Sequence, residues 1–421
     1  MSKTLDALKK HNTIFISAQP DEVYFHWQVE IYLYQFAKHG IQERCYALFG
    51  YRDMPSEYAL NLAKKYPHII LYKDERITVP NHYAPTIRPH LLKKFFTEHP
   101  ELGASVFYHD SDIFLVRLPR FELMLGDNIN YLSDTISYIG YNYIADCQKR
   151  YTATHPNAEP LINLMCKCVG LPVTLVKNNE KVSGGAQYLL KNIDAAFWIE
   201  AEELCQKLTD CMKAYDAKYP VEHGIQAWTA DMWVVLWLVW KRGRKTKIHD
   251  DLDFSWAPYS VTDYHKKRIF HLAGVTQKNC EGHFFKTHFQ KKNIFEEYAR
   301  NKNIFDNVKP SSATFEYVKV LKEYAEKSPV IIKENKRFLL DSKDVWSSIY
   351  TKDSTTFSGR PIWRSVQGDY IIFNTGDVWV LTGAQYEKEL TAKTGGYIST
   401  YAAEPYEGGW NKPCVIRLLD V

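Results

Sequence analysis

The sequence has few cysteines set close together. Its eight cysteines, Cys45, Cys147, Cys166, Cys168, Cys205, Cys211, Cys280 and Cys414, include no C-x-x-C pair, and the spacing of Cys166 and Cys168 is wrong for a zinc knuckle. Such scatter predicts reduced, buried thiols in an intracellular protein. Long apolar runs are missing too. The most apolar stretch, 232–240, has nine residues, whereas a membrane helix needs about 20. The opening text, "MSKTLDALKKHNTIFIS", has no apolar core of the kind a secretory leader carries. These absences predict a cytoplasmic chain, with a viral or phage source left open. A net charge of +4 over 421 residues does not by itself mark a nucleic-acid binder. Heptads, low-complexity segments and long-period repeats are absent as well, which argues against coiled coils and solenoids.

What is abundant is aromatic. Phe, Trp and Tyr make up 14% of the chain, with 29 Tyr and 11 Trp, and hydrophobic residues reach 45%. That is enough for a large core, and the length predicts one large domain plus a smaller one. Most of the aromatics read as core; some have a second use as platforms for sugars or bases.

Strand and helix signals alternate from the start. "TIFIS" (13–17) reads as a strand ending in the loop "AQPD". Asp21 is placed to cap a helix in which Val23, Tyr24, Trp27, Ile31 and Tyr34 recur at helical spacing, with Gly40 at its end. Further strands are expected at 44–50, 68–73, 105–108 and 129–134, with a late one at 268–274. Helices are expected at 86–99, 194–216 and 229–243, the last apolar all round and therefore buried. This alternation predicts an α/β fold with a mostly parallel sheet flanked by helices. Residues 1–290 form the expected catalytic domain and 291–330 a charged helical connector. Residues 331–421 change to short β runs separated by Gly, Asp, Asn and Ser, a small all-β module. Its aromatics Trp346, Tyr350, Trp363, Tyr370, Phe373 and Trp379 are expected mostly as core.

The stretch "SVFYHDSDIF" (105–114) sets two carboxylates, Asp110 and Asp112, at the tip of an apolar strand. Unpaired charge is costly to desolvate, so they either face water or hold something positive. Strand tips of this kind are where open α/β sheets bind ligands. Carboxylate oxygens suit Mg²⁺ or Mn²⁺. His271, in "RIFHLAG", is either a hydrogen-bonded core residue or a third ligand, and as a ligand it would shift the preference toward Mn²⁺.

"TIFISAQPD", "FYHDSDIFL", "SGGAQYLL", "TADMW" and "HLAG", in this order, resemble the nucleotide-sugar-dependent glycosyltransferases of the GT-A fold. Within that fold, the "YFHWQ" and "GG-x-QY" text is most similar to the hydroxyproline O-arabinosyltransferase and peptidyl-serine galactosyltransferase group of plants and algae. The resemblance covers roughly residues 10–290. Those enzymes are secretory, and this N-terminus departs from them, so their acceptor peptides are not carried over.

The resemblance implies roles. Asp110, Asp112 and His271 would hold the metal, with Asp110 and Ser111 also on the donor. Ser17, Ala18 and Gln19 would meet the nucleotide base, and Arg88 would face the nucleotide. "SGGAQ" is expected as a loop opening a helix, with Gly184 and Gly185 against the sugar and Gln187 at the reacting centre. Asp231, in the first turn of an apolar helix, would handle sugar hydroxyls or the acceptor proton; a plain helix-start charge is the other reading. Lys286 would neutralise the leaving diphosphate. The implied reaction moves a sugar from a UDP-sugar to an acceptor hydroxyl on protein, glycan or modified nucleobase, with retention of configuration. A catalytically weak sugar- or nucleic-acid-binding module and a nucleotidyltransferase are the alternatives. Lys241, Arg242, Arg244, Lys245 and Lys247 put five basic residues in seven, either a solvated loop or a contact for an anionic acceptor such as nucleic acid.

Overall fold

β1 (Ile14–Pro20) has no polar face at its start, as a strand buried on both sides requires. Ile14 and Ile16 pack with Leu91 and Phe95 on one side of the sheet. Phe15 turns to the other side, where Phe107, Phe121 and Phe36 meet it edge-on at 5.2, 5.5 and 6.0 Å. The computed structural model describes residues 3–76, 83–328, 337–342, 348–357, 360–375, 378–384, 397–398, 405 and 414–419. They divide into two compact units, Met1–Val330 and Ile331–Val421.

In the first unit β1 runs parallel to β2 (Cys45–Tyr51), and β2 parallel to β3 (Ile69–Lys73). On its other side β1 runs parallel to β4 (Ser105–Tyr108). A short turn then leads to β5 (Ile113–Leu115), which leaves this sheet. β6 (Asn130–Asp134), β7 (Gly184–Lys191) and β8 (Thr246–Ile248) complete it in the order 3-2-1-4-7-6-8, with β7 antiparallel to both neighbours. β9 (Phe254–Trp256) and β10 (Ile269–His271) join β5 in a second, three-stranded sheet. The α/β class and mostly parallel sheet are as the sequence predicts. Helices Val23–Ala37, Ile87–Glu98, Ala195–Lys218 and Ala230–Lys241 flank the sheet and fill its two apolar layers.

Several local expectations are corrected. β1 runs on through "AQP", because Ser17, Ala18 and Gln19 are all buried in the sheet. Asp21 does not cap the following helix. Its carboxylate accepts from the Ser56 amide at 2.7 Å and the Ser56 hydroxyl at 2.5 Å, and pairs with His26. "GGAQ" is no helix-opening loop; it starts β7. The two glycines allow close packing inside the sheet, since a Cβ on Gly184 would stand 2.3 Å from the Ser133 carbonyl. Within 291–330 the helices are Ile294–Arg300 and Ala313–Lys327. Helix Ala313–Lys327 buries Tyr317, which stacks on Phe114 of β5 at 4.2 Å. The thiols are not all reduced either: Cys168 and Cys211 form a disulfide between two helices, while Cys45, Cys147, Cys166 and Cys205 are buried free thiols. Burial pushes the Cys166 thiol up to about 12.

The second unit is one antiparallel sheet of β11 (Arg337–Ser342), β12 (Ser348–Phe357), β13 (Arg360–Ser365), β14 (Tyr370–Asn374), β15 (Trp379–Gly383), β16 (Tyr397–Ile398) and β17 (Cys414–Leu419), in the order 16-15-14-13-12-11-17. Tyr350, Trp363 and Trp379 pack with Leu340, Ile372 and Leu381, and Phe373 with Ile362 and Val380. Tyr370 is partly buried against the first group. Trp346 lies outside the described residues.

Candidate active site

The carboxyl ends of β1 and β4 open onto one edge of the sheet, and the turn after β4 carries Asp110, Ser111 and Asp112. β10 runs antiparallel to β5 with His271 opposite Ile113, and the Leu272 amide donates to the Asp112 carbonyl at 2.9 Å. This register brings His271 Nε2 to 3.5 Å from Asp110 Oδ2 and 3.3 Å from Asp112 Oδ1. The three ligand atoms lie within 4.8 Å of one another. The ring is fixed by stacking on Trp256, centroids 5.7 Å apart. Two carboxylates and one imidazole at this spacing fit a divalent cation.

Two cations flank the acids. Lys286 forms an ion pair with Asp112. Burial raises the Asp112 carboxyl, but Lys286 and then His271 outweigh it and hold it well below the ordinary range. The Lys286 ammonium is lowered by burial, yet Asp112 more than restores it, so it is raised overall. Arg88, at the start of helix Ile87–Glu98, reaches Asp110 at 3.0 Å and Asp231 at 2.9 Å. Asp231, in the first turn of helix Ala230–Lys241, is only 7% exposed. Its carboxyl is raised, first by burial, against the pull of Arg88 and the Tyr83 hydroxyl. That hydroxyl lies 2.8 Å from Asp231 Oδ1 and 2.6 Å from the Trp228 carbonyl, and it accepts from the Asp231 amide at 3.3 Å.

These groups line one cavity of about 320 Å³, near the lower end for small-molecule sites. Asp110, Ser111, Asp112, His271, Arg88, Asp231 and Lys286 all face it. Ser17, Ala18, Gln19, Gly184, Gly185 and Gln187 do not line it. Ser17 is paired with the Tyr32 hydroxyl at 2.9 Å, and Gln19 donates to the Leu48 carbonyl at 3.0 Å. Gln187 is 0% exposed, with Ser133 Oγ 3.4 Å from its Oε1. Most of the basic run is engaged elsewhere. Lys241 and Arg242 pair with Glu200, Arg242 also with Asp194, and Arg244 donates to the Lys191 carbonyl. Thr246, Lys247 and Ile248 form strand β8.

Sequence reasoning missed the aromatic and amide wall of this cavity. Tyr24 and Gln28, one helical turn apart in "VYFHWQ", both line it, and Gln28 Oε1 accepts from the Ser111 hydroxyl at 3.3 Å. Tyr138, Tyr188, Trp228 and Trp256 line it too. The helical phase of Tyr24 and Gln28 just after β1 was a usable signal; the other four had none. Ala186 also lines the wall, with φ +68°, where the β6–β7 register shifts. A left-handed backbone is uncommon for a residue with a Cβ.

Fold and site together define a class: an α/β protein with a carboxylate–imidazole cluster and two paired cations at the carboxyl ends of its parallel strands. No family model matches the sequence, and no curated protein matches it. Solved structures to which this chain is similar include a glycosyltransferase involved in the glycosylation of the major capsid of PBCV-1, with TM-score 0.30 and 11% identity over 66% of this chain and 98% of that one. The apo-form glycosyltransferase GlyE of Streptococcus pneumoniae TIGR4 gives TM-score 0.30 and 13% identity over 75% of this chain and 63% of that one. Mouse xyloside xylosyltransferase 1 gives TM-score 0.31 and 8% identity over 63% of this chain and 98% of that one. Among the described residues, no helix is long and apolar enough to cross a membrane.

Proposed function

We propose that this protein is a divalent-metal-dependent glycosyltransferase that moves a sugar from a UDP-sugar to an acceptor hydroxyl. The observation that carries this reading is the Asp110–Asp112–His271 cluster with Lys286 and Arg88 beside it. Three carboxylates facing two cations leave the cavity one charge negative, and a divalent ion would turn it one charge positive. That balance suits a diphosphate, which neither the bare acids nor the cations alone would hold.

A metal held by Asp110, Asp112 and His271 would stabilise charge on the departing diphosphate. Lys286 supplies a fixed positive charge on the same side, already oriented by Asp112. Arg88 ties Asp110 to Asp231, so the leaving-group side and the sugar side of the cavity keep a set separation. Asp231 is the group for sugar hydroxyls or the acceptor proton, and Tyr83 and Arg88 fix its direction. Ser17, Ala18 and Gln19 have their side chains committed within the sheet or buried there, so a nucleotide base would meet that strand end through backbone groups. Retention of configuration is taken from the sequence resemblance.

The test is thermal stabilisation by UDP with Mn²⁺, with Mg²⁺ and with chelator, followed by UDP release from a panel of UDP-sugars. The expected result is metal-dependent stabilisation by UDP above other nucleotides and slow donor hydrolysis. Equal stabilisation by all nucleotides, with pyrophosphate release from a nucleoside triphosphate, would instead favour a nucleotidyltransferase.

A further inference from the structure

Trp228 is 65% exposed, whereas Thr229 and Ala230 beside it are fully buried. It lies in the short turn Ala227–Thr229 that delivers Asp231, and it is one of the residues that line the cavity. The turn is not loose. The Tyr83 hydroxyl holds the Trp228 carbonyl, and the Thr229 hydroxyl donates to the Gln226 carbonyl at 2.8 Å. Unlike the other exposed large apolar side chains, such as Met54 and Leu123, Trp228 borders the cavity that holds the acidic cluster. Beyond it stands the Asp231 carboxylate, three residues along the chain.

We infer that Trp228 is the floor of the acceptor subsite and that the acceptor is a pyranose, stacked on the indole with its hydroxyls toward Asp231. A pyranose presents both surfaces this corner offers to match: a face of C–H groups for the aromatic ring, and an edge of hydroxyls for a carboxylate. A peptide hydroxyl on an extended chain has no such face. The inference rests on the glycosyltransferase reading and adds the acceptor class to it. Trp228 binds and orients the acceptor; the reacting hydroxyl is left to Asp231.

The test uses the full chain with UDP and Mn²⁺ and a panel of methyl pyranosides (gluco, galacto, manno, N-acetylglucosamine and rhamno) as probes. Saturation-transfer NMR reads their binding directly. Wild type is expected to show transfer to at least one glycoside, and Trp228→Leu, which keeps apolar bulk without a ring, to weaken it tenfold or more. Trp228→Tyr is expected to recover binding to within about threefold of wild type, which a merely structural role for bulk would not produce. UDP-and-Mn²⁺ thermal stabilisation checks that each variant keeps its donor half. No glycoside signal in wild type, or equal signals in wild type and Trp228→Leu, overturns the inference. Absence of UDP stabilisation in wild type would instead overturn the glycosyltransferase reading itself.

Discussion

Arg88 and Asp231 form an ion pair at 2.9 Å in the wall of the cavity. The same guanidinium holds Asp110, one of the three clustered ligand groups. A change at Arg88 is therefore felt at both ends of the site. Arg88→Met is expected to lower turnover by about 100-fold, the scale of a lost electrostatic contact in a closed site. It should also weaken Mn²⁺ binding, measured by titration of the UDP-dependent thermal shift. An unchanged metal titration would confine Arg88 to the sugar side.

Asp231→Asn keeps shape and removes charge. On the proposed reading Asp231 serves the sugar or acceptor and not the nucleotide, so turnover is expected to fall about 100-fold or more, with UDP affinity within about threefold. Equal turnover would reduce it to a helix-start charge.

The pH profile follows from the raised Asp231 carboxyl. The folded chain binds that proton more tightly than the unfolded chain, so ionising it costs stability above the folded pKa; the cost shrinks as pH falls through that value and is gone below the unfolded pKa. Activity that needs the carboxylate runs the other way. It should be lost on the acid side, with a midpoint above about 3.9, the ordinary Asp value. The limb should be absent from the residual rate of Asp231→Asn; a limb that persists belongs to another group.

Asp112→Ala removes the partner of Lys286. We expect activity to fall to background and stability to drop by about 3 kcal/mol, the low end for a buried pair because Lys286 keeps some contact with water. Adding Lys286→Met should return part of that stability in denaturant titrations and none of the activity. A double variant no more stable than the single one would show that the ammonium is not left stranded.

Ala186→Val tests the left-handed position in the cavity wall. A β-branched residue there should destabilise the chain by about 2 kcal/mol. An unchanged denaturation midpoint would mean that the backbone relaxes out of that conformation.

The polar half of the cavity was legible because charge is conspicuous in an apolar context. Asp110 and Asp112 interrupt a core strand, Asp231 opens an apolar helix, and His271 follows "RIF"; the structure brings all four to one cavity with Arg88 and Lys286. The aromatic half was not legible, because Trp228 and Tyr138 are two rings among many, and only tertiary placement separates a wall from a core. "SGGAQ" misled for a related reason. Adjacent glycines read as a turn, yet here Gly184 lets β7 lie close against Ser133 of β6, and Gly185 leaves room for the Tyr188 hydroxyl of its own strand. β8 was hidden by its charge, since Lys247 points outward from a strand otherwise recognisable only by its pairing with β6.

Tyr317 stacks on Phe114, two residues beyond Asp112. The strand that follows the acidic turn is thus covered by a helix made much later in the chain. On a ribosome adding about 5–20 residues per second, the early strands wait many seconds for that cover. Until residues 313–327 emerge, β5 keeps an open apolar flank and the acidic turn has no settled frame. Synthesis order therefore makes the site one of the last parts of the first unit to form, and a nascent chain stopped short of this helix leaves the apolar flank of β5 open to aggregation and chaperone capture.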